Sequence, residues 1–408
     1  MPTFQYVVKD KTGKQSKGKI DGETKEIVVQ QLRDQGYLVS QIQESAAAAA
    51  PQKRSGFRLR RKVGLKDLSI FCRQFATMIN AGVSLVRCLD VLEQQTNSVN
   101  LKEIIREIQT EVEGGATLSR SMAQYPRVFS NLATGLIRAG EVGGVLDDTL
   151  ERLASFLEAD MALRRKVKSA MTYPILVMIV AVGIVLFLVT FILPKFIALF
   201  EELGVKEFPL PTLMLMNTSK FMTSKWWLCI IIVVLLTIAF NRIRATKTGR
   251  RYYDILKLKV PVFGSLNHKI SVARFARTLS TLLSSGVPIL QAMETVAGTV
   301  DNTIIAEAIL LSRTAIREGD TIGDPLAQSR MFPPMVVQMI TIGEETGQLD
   351  AMLSKVADFY EAEVEASLES LTAALEPVMI VFLGFVVGFI VISMFLPLVS
   401  IIGSLSSS

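Results

Sequence analysis

The sequence predicts a mostly α-helical, polytopic membrane protein: three transmembrane helices, two duplicated cytoplasmic six-helix bundle domains, and a small N-terminal ββαβ module. Three observations carry this. First, Gly140-Glu141-Val142-Gly143-Gly144-Val145-Leu146-Asp147 returns as Gly343-Glu344-Glu345-Thr346-Gly347-Gln348-Leu349-Asp350, so both read Gly-Glu-x-x-Gly-x-Leu-Asp. Phe129, Phe156, Pro174 and Pro194 recur 203 residues later as Phe332, Phe359, Pro377 and Pro397, which makes the motif part of a duplication of the chain. Further upstream, Phe71, Arg73, Gly82, Val83 and Thr117 recur 204 residues later as Phe275, Arg277, Gly286, Val287 and Thr321, so the second copy lacks one residue near Gln328 to Arg330. Second, each copy ends in a long apolar run. Third, half of the 408 residues are hydrophobic and only a fifth are charged, the balance of a membrane protein with sizeable soluble parts.

In chain order, residues 1–44 form the α/β module. Phe4, Tyr6 and Val8 alternate as a strand, a turn follows at Lys11 to Lys14, and Gly18 to Gly22 returns as a second strand. Ile27, Val28, Gln31 and Leu32 supply the apolar face of a short helix that ends at Gly36, and Tyr37-Leu38-Val39 closes the module as a strand. Residues 45–66 change character to an alanine run and a basic cluster, read as a linker with lipid-surface or partner contact as the alternative. No basic n-region with an apolar stretch begins the chain, so no cleaved signal peptide is expected.

The first cytoplasmic helical domain spans 67–170. Leu68, Phe71, Phe75, Met78 and Ile79 share one helical face, and Gly82 stops that helix as Gly286 does in the second copy. Leu85, Leu89 and Leu92, matched by Ile289, Met293 and Val296, begin the next helix. The second domain spans 241–376. Met171–Leu193 has 23 residues without a charge, enough to cross a hydrocarbon core of about 30 Å. Pro377–Ile402 is a second such run. Trp226–Phe240 is shorter, but its paired tryptophans and the flanking Lys225 and Arg242 suit the two interfaces. Basic residues before the first span and after the second place the N-terminus and both helical domains in the cytoplasm, with the 194–225 loop and the tail 403–408 in the periplasm.

Enzyme chemistry finds no support. The chain has no Gly-x-x-x-x-Gly-Lys-Ser/Thr, Gly-x-Gly-x-x-Gly, Gly-x-Ser-x-Gly or His-Glu-x-x-His pattern. His268 is the only histidine, and Cys72, Cys88 and Cys229 lie far apart, so neither a metal site nor a disulfide framework nor a cofactor is expected. No span carries an ionisable residue in its interior, which argues against a carrier. The basic residues cluster beside apolar runs, favouring membrane lipids over nucleic acid.

What remains is geometry for binding. The two Gly-Glu turns each lie between predicted helices, with Gly140 and Gly343 free to adopt positive φ and Asp147 and Asp350 in the first turn of the next helix. Glu141 and Glu344 read either as part of a structural turn or as exposed carboxylates that meet a basic partner. In the third span Gly384 and Gly388 form a small-xxx-small pair, suited to packing within the chain or to self-association. Residues 344–376 hold nine acidic residues and one lysine, whereas 141–173 hold six acidic and five basic, so the copies present different charge to different neighbours or to each other.

These features together resemble the inner-membrane platform family of type IV pili and type II secretion, PilC and GspF. The resemblance rests on the Phe4-x-Tyr6 to Gly36 module, the duplicated Gly-Glu-x-x-Gly-x-Leu, Thr172-Tyr173-Pro174, Leu193-Pro194-Lys195-Phe196, and Phe208 to Thr212. It implies a non-enzymatic inner-membrane scaffold that self-associates and works with a hexameric cytoplasmic assembly or retraction ATPase, pilins and inner-membrane alignment proteins. On that reading the partner-binding residues are Gly140, Glu141, Gly144 and Leu146 with Gly343, Glu344, Gly347 and Leu349. Pilus assembly, type II secretion and competence systems all use such a platform, and a membrane-tethered signalling scaffold would share the topology. Gly143 faces Thr346 in the alignment of the copies, so the two turns need not be equivalent.

Overall fold

The computed structural model describes residues 3–9, 15–21, 29, 38–45, 63–202 and 208–406, which fall into two units divided after Arg61. In the first unit β1 (Thr3–Lys9), β2 (Gln15–Asp21) and β3 (Leu38–Ser45) form an antiparallel sheet of order β2-β1-β3, with an irregularity between Val7 and Val8. β3 runs well past the Val39 at which the sequence closes it. The Lys11 to Lys14 turn and all but Val29 of the helix expected between the second and third strands lie outside the described residues.

The second unit is helical. The first copy supplies α1 (Leu65–Asn80), α2 (Leu85–Gln95), α3 (Val99–Glu113), α4 (Leu118–Ala123), α5 (Asn131–Gly143) and α6 (Leu146–Phe187). A π-helical turn, Leu188–Ile192, leads into α7 (Leu193–Glu202), followed by α8 (Leu210–Ser224), α9 (Trp226–Ala245) and α10 (Lys247–Lys259). The second copy then repeats the first with α11 (Phe263–Ser284), α12 (Ile289–Thr299), α13 (Thr303–Glu318), α14 (Gly323–Gln328), α15 (Pro334–Thr346) and α16 (Leu349–Ser406). Gly82 and Gly286 end α1 and α11 with φ of 79° and 76°, the left-handed conformation a helix stop needs.

Duplicate contacts follow the duplicate sequence. Phe71 meets Phe129 at a centroid separation of 6.1 Å, and their counterparts Phe275 and Phe332 meet at 4.7 Å. The missing residue of the second copy shows as a shorter connection after α14, where Arg330 takes φ of 54°. His268 braces that connection through Nε2, 2.7 Å from the Met331 carbonyl oxygen. Buried residues of both copies merge into one apolar core, from Phe71 and Leu92 to Val296 and Ile340. Burial pushes the Cys72 thiol up to about 12, so that side chain serves as apolar packing.

Among the described residues three helices are long and apolar enough to cross a membrane, and two of them extend well beyond their apolar runs. α6 continues without a break from Leu146 past Met171 into the first apolar run, and α16 does the same for 58 residues from Leu349. At 1.5 Å per residue these are rods of about 63 and 87 Å. Their junctions hold helix formers such as Ala162, Leu163 and Lys166 or Leu371, Ala373 and Leu375, and each helix also runs through a proline, Pro174 or Pro377, that would read as a stop in the sequence. α9 also runs beyond Phe240 to Ala245.

The 194–225 stretch, expected as a loop, is helical on both sides of the undescribed 203–207. Thr212, Leu215, Met216 and Ser219 recur at helical spacing and form the buried face of α8, packed with Val189, Ile197, Ile390 and Met394. Two hydroxyls on that face resolve a problem created by proline. A proline lacks the N–H that would bond a carbonyl one turn earlier. Pro397 therefore frees the Ser393 carbonyl, and Thr212 Oγ1 donates to it at 2.6 Å. In the π-helical register, where Leu193 N bonds Leu188 O, Pro194 frees the Val189 carbonyl, and Ser219 Oγ donates to that at 2.7 Å. Pro194 and Pro397 are repeat equivalents, so one helix satisfies both copies. Replacing Thr212 with Val or Ser219 with Ala should each cost about 1 kcal/mol, with Thr212→Ser near wild type, read from thermal unfolding in detergent. Unchanged midpoints in both Val and Ala variants would show that water or lipid serves these carbonyls equally well.

Candidate functional site

The two Gly-Glu turns share one construction, and it differs from the exposed loop that the sequence suggests. Gly140 and Gly343 lie buried in the last turns of α5 and α15, so positive φ is not their role. That conformation belongs to Gly144 and Gly347, which end the helices at φ of 70° and 69°. What Gly140 and Gly343 supply is space. A Cβ on Gly140 would lie 2.0 Å from Thr149 Oγ1 and 3.1 Å from Leu146 Cα, and one on Gly343 would lie 2.8 Å from Leu349 Cα. Lacking it, each turn lets the long helix begin directly against the helix before it. Leu146 and Leu349, the first residues of α6 and α16, are half-buried at that contact. Asp147 and Asp350 fall in the first turn, where a carboxylate suits the positive helix end.

Glu141 and Glu344 are occupied within the chain. The Glu141 carboxylate accepts the backbone N–H groups of Leu118 and of Ser119, the latter at 3.2 Å. Glu344 accepts the Ile322 N–H at 2.9 and 3.1 Å through its two oxygens. Leu118 and Ile322 are repeat equivalents at the starts of α4 and α14, helices of only six residues each. Such short helices cannot hold their own N-terminal N–H groups, and a carboxylate supplied from a neighbouring helix satisfies them and favours the dipole. Thr117 and Thr321 add a local cap by accepting from Arg120 N and Asp324 N, both at 3.4 Å.

The accessible part of each turn is therefore its variable tip. In the first copy this is Val142, 86% exposed, with Gly143, Gly144 and the half-exposed Val145. In the second it is Glu345, Thr346, Gly347 and Gln348. One tip is apolar and the other polar and acidic. Gly384 and Gly388 in α16 stand elsewhere: a Cβ at either would meet nothing within 4 Å, so no contact within the described chain requires their small size.

Sequence reasoning assigned no role to Arg73 and Arg277, although their recurrence was visible. Arg73 on α1 binds Glu158 of α6 with two nitrogens, at 2.7 and 2.6 Å, and also reaches Glu151 and Ser155. Its counterpart Arg277 on α11 binds Glu361 at 2.9 Å and Asp358 at 2.6 Å on α16. Hydrogen bonds that Arg73 donates to Glu158 and then to Glu151 push its pKa up; burial opposes the rise at Arg277 but Glu361 and Asp358 outweigh it. Each long helix is thus clamped to the first helix of its own copy before its apolar run begins. Between copies, Lys166 meets Glu365 at 2.7 Å, Arg274 meets Asp160 at 3.2 Å and Arg152 donates to Ser284 Oγ at 2.7 Å. Some of the acidic charge of α16 is answered from within the chain.

A duplicated helical bundle whose closing helices run on into apolar stretches long enough to cross a membrane defines a polytopic membrane protein. The chain belongs to the type II secretion system protein F family: residues 71–194 and 275–397 match its repeated domain, and residues 1–43 match its N-terminal domain. A type IV pilus assembly protein PilC of Thermus thermophilus is 46% identical over 407 residues, covering all of both chains. The PilC of Myxococcus xanthus is 41% identical over 402 residues, covering 98% of this chain and 95% of that protein. A type II secretion system protein F of Vibrio cholerae is 32% identical over 399 residues, covering 98% of each.

The turn geometry gives a prediction. Gly140→Ala and Gly343→Ala should each destabilise the protein by about 2 kcal/mol through overpacking, and Glu141→Ala and Glu344→Ala by about 1 kcal/mol through lost caps. Thermal unfolding of the purified full-length protein reads this, and a Gly→Ala variant as stable as wild type would refute the close-approach account.

Proposed function

We propose that the chain is the inner-membrane platform of a type IV pilus assembly system, coupling a hexameric cytoplasmic ATPase to the extraction of pilins from the bilayer and filament growth. Identities of 46% and 41% to pilus assembly proteins, against 32% to a type II secretion F protein, support the pilus over the secretion system. The N-terminus, read as a ββαβ module over 1–44, and the helical regions 67–170 and 241–376 lie in the cytoplasm. Residues 171–193, 226–240 and 377–402 are the membrane-embedded parts, and 194–225 and 403–408 face the periplasm. The protein is a non-enzymatic scaffold that also contacts inner-membrane alignment proteins, lipids and copies of itself, with Gly384 and Gly388 offering a close-approach face to the latter.

One observation carries the mechanism: each Gly-Glu turn opens directly into a helix that does not break before it enters the apolar run. A force applied at the turn is transmitted along a hydrogen-bonded rod, clamped by Arg73 or Arg277, to the membrane. Gly140, Glu141, Gly144 and Leu146, with Gly343, Glu344, Gly347 and Leu349, shape the turns, while Val142 and Glu345 at their tips meet the motor. Val142→Asp and Glu345→Lys should leave the thermal midpoint within about 0.5 kcal/mol of wild type, as exposed substitutions do, and weaken co-purification with the same organism's assembly ATPase. Undiminished ATPase binding by both variants would remove the turns as the contact surface.

A further inference from the structure

A cavity of about 290 Å³ lies where α6, α10, α11 and the start of α13 meet, beside the point at which α6 enters its apolar run. Its lining divides into two kinds. Leu163, Val167, Met171 and Ile270 form an apolar wall that is continuous with the packing between α6, α11 and α16. Against it stand Arg164, Lys168, Lys257 and Arg274, with Asp301 as the one carboxylate of the lining. Arg164 is held by Asp160 at 2.8 Å, and Arg274 by Asp160 and Asp301. Two cations remain unanswered, for among the described residues Lys168 and Lys257 have no carboxylate partner, and Lys257 Nζ sits 4.9 Å above the Tyr253 ring. Arg274 Nε is buried and has no hydrogen-bond partner. A buried guanidinium N–H without an acceptor is costly, so the packing at this corner of the cavity leaves Arg274 incompletely satisfied.

We propose that this cavity binds the phosphate and glycerol linkage of an anionic phospholipid from the cytoplasmic leaflet. Four cations converge on one small volume, two of them without a carboxylate partner among the described residues, and an apolar wall leads toward the membrane-crossing stretch of α6. A phosphate answers those two cations, Lys168 and Lys257, and an attached acyl chain the apolar wall. The volume sits just below the usual range for small-molecule sites, about 300 to 1,000 Å³, which suits a headgroup whose chains stay in the bilayer. Basic pockets at the cytoplasmic ends of spans favour anionic lipid by both charge and position. Since α6 belongs to the first copy and α11 and α13 to the second, a lipid seated here would tie the two copies together at the membrane surface. The inference rests on the cytoplasmic orientation proposed above.

The test is lipid retention by the full-length protein, purified in mild detergent and offered phosphatidylglycerol, cardiolipin or phosphatidylcholine, read by native mass spectrometry. Inorganic phosphate is added in a competing arm. Wild type should retain the anionic lipids selectively, and K168Q/K257Q, which changes the two cations without carboxylate partners, should bind them at least about tenfold more weakly with an unchanged thermal midpoint. Equal retention of phosphatidylcholine, an unaffected double variant, or binding of free phosphate without lipid selectivity would each overturn the proposal. Labelling of Glu345→Cys in spheroplasts from the cytoplasmic or periplasmic side reads orientation separately, so a failed lipid site and a failed orientation give different results.

Discussion

The missing side chains at Gly140 and Gly343 are the constraint on which this architecture depends. A Cβ there would sit within 2.0 Å of Thr149 Oγ1 or 2.8 Å of Leu349 Cα, so any other residue would push the long helix away from the one before it. The glycine, the left-handed cap at Gly144 or Gly347, and the glutamate between them form one unit. The glycine allows approach, the cap turns the chain, and the glutamate reaches sideways to secure the short helix α4 or α14. Because the same unit appears twice, the long helices α6 and α16 leave the bundle by the same local geometry and enter their apolar runs without an intervening loop.

The far end of each long helix obeys a second constraint of the same kind. Proline at 194 and 397 leaves a carbonyl without its intrahelical donor, which in an apolar surrounding is more expensive than in water. The chain answers with α8, whose Thr212 and Ser219 are two helical turns apart and therefore on one face. A helix that joins the first and third candidate spans by hydroxyl-to-carbonyl bonds also fixes their mutual position. Both ends of the rods are thus set by backbone requirements, glycine below and proline above, rather than by large apolar contacts alone.

Much of this was legible in the sequence because it is periodic or local. The duplication, the helix-ending Gly82 and Gly286, the apolar runs and the apolar stripe of α1 depend on neighbours three or four residues away, or on a copy at a fixed offset. Glu141 was not legible in the same way. Its partners lie 23 and 22 residues upstream on another helix, so only the packing of α5 against α4 reveals that a carboxylate that reads as free is a cap. Thr212 is further still from its acceptor, 181 residues. The recurrence of Pro194 as Pro397 did announce that two carbonyls would be freed, but not which hydroxyls would fill them. Helix continuity across 170 and 376 was hidden for a different reason: composition changes there from charged to apolar, and Pro174 and Pro377 read as breaks although each helix continues through its proline.

Duplication also explains why the two copies need not act alike. Their internal clamps correspond, Arg73 with Glu158 and Arg277 with Glu361, so the bundle geometry is shared. Their outer charge is not, because the first long helix carries its own lysines and arginines and the second carries almost none. Lys166 crosses to Glu365, and Arg274 crosses to Asp160. Charge missing from one copy is supplied by the other, and each copy gives up some freedom to move alone. The exposed Lys166–Glu365 pair contributes little stability by itself, about 0 to 1 kcal/mol, so its effect is to bias how the copies sit rather than to hold them shut. The permanent hold is the merged apolar core. A protein built this way has a firm body, two tips of different chemistry, and a charged seam beside the start of its apolar runs where small changes of charge or ligand can act.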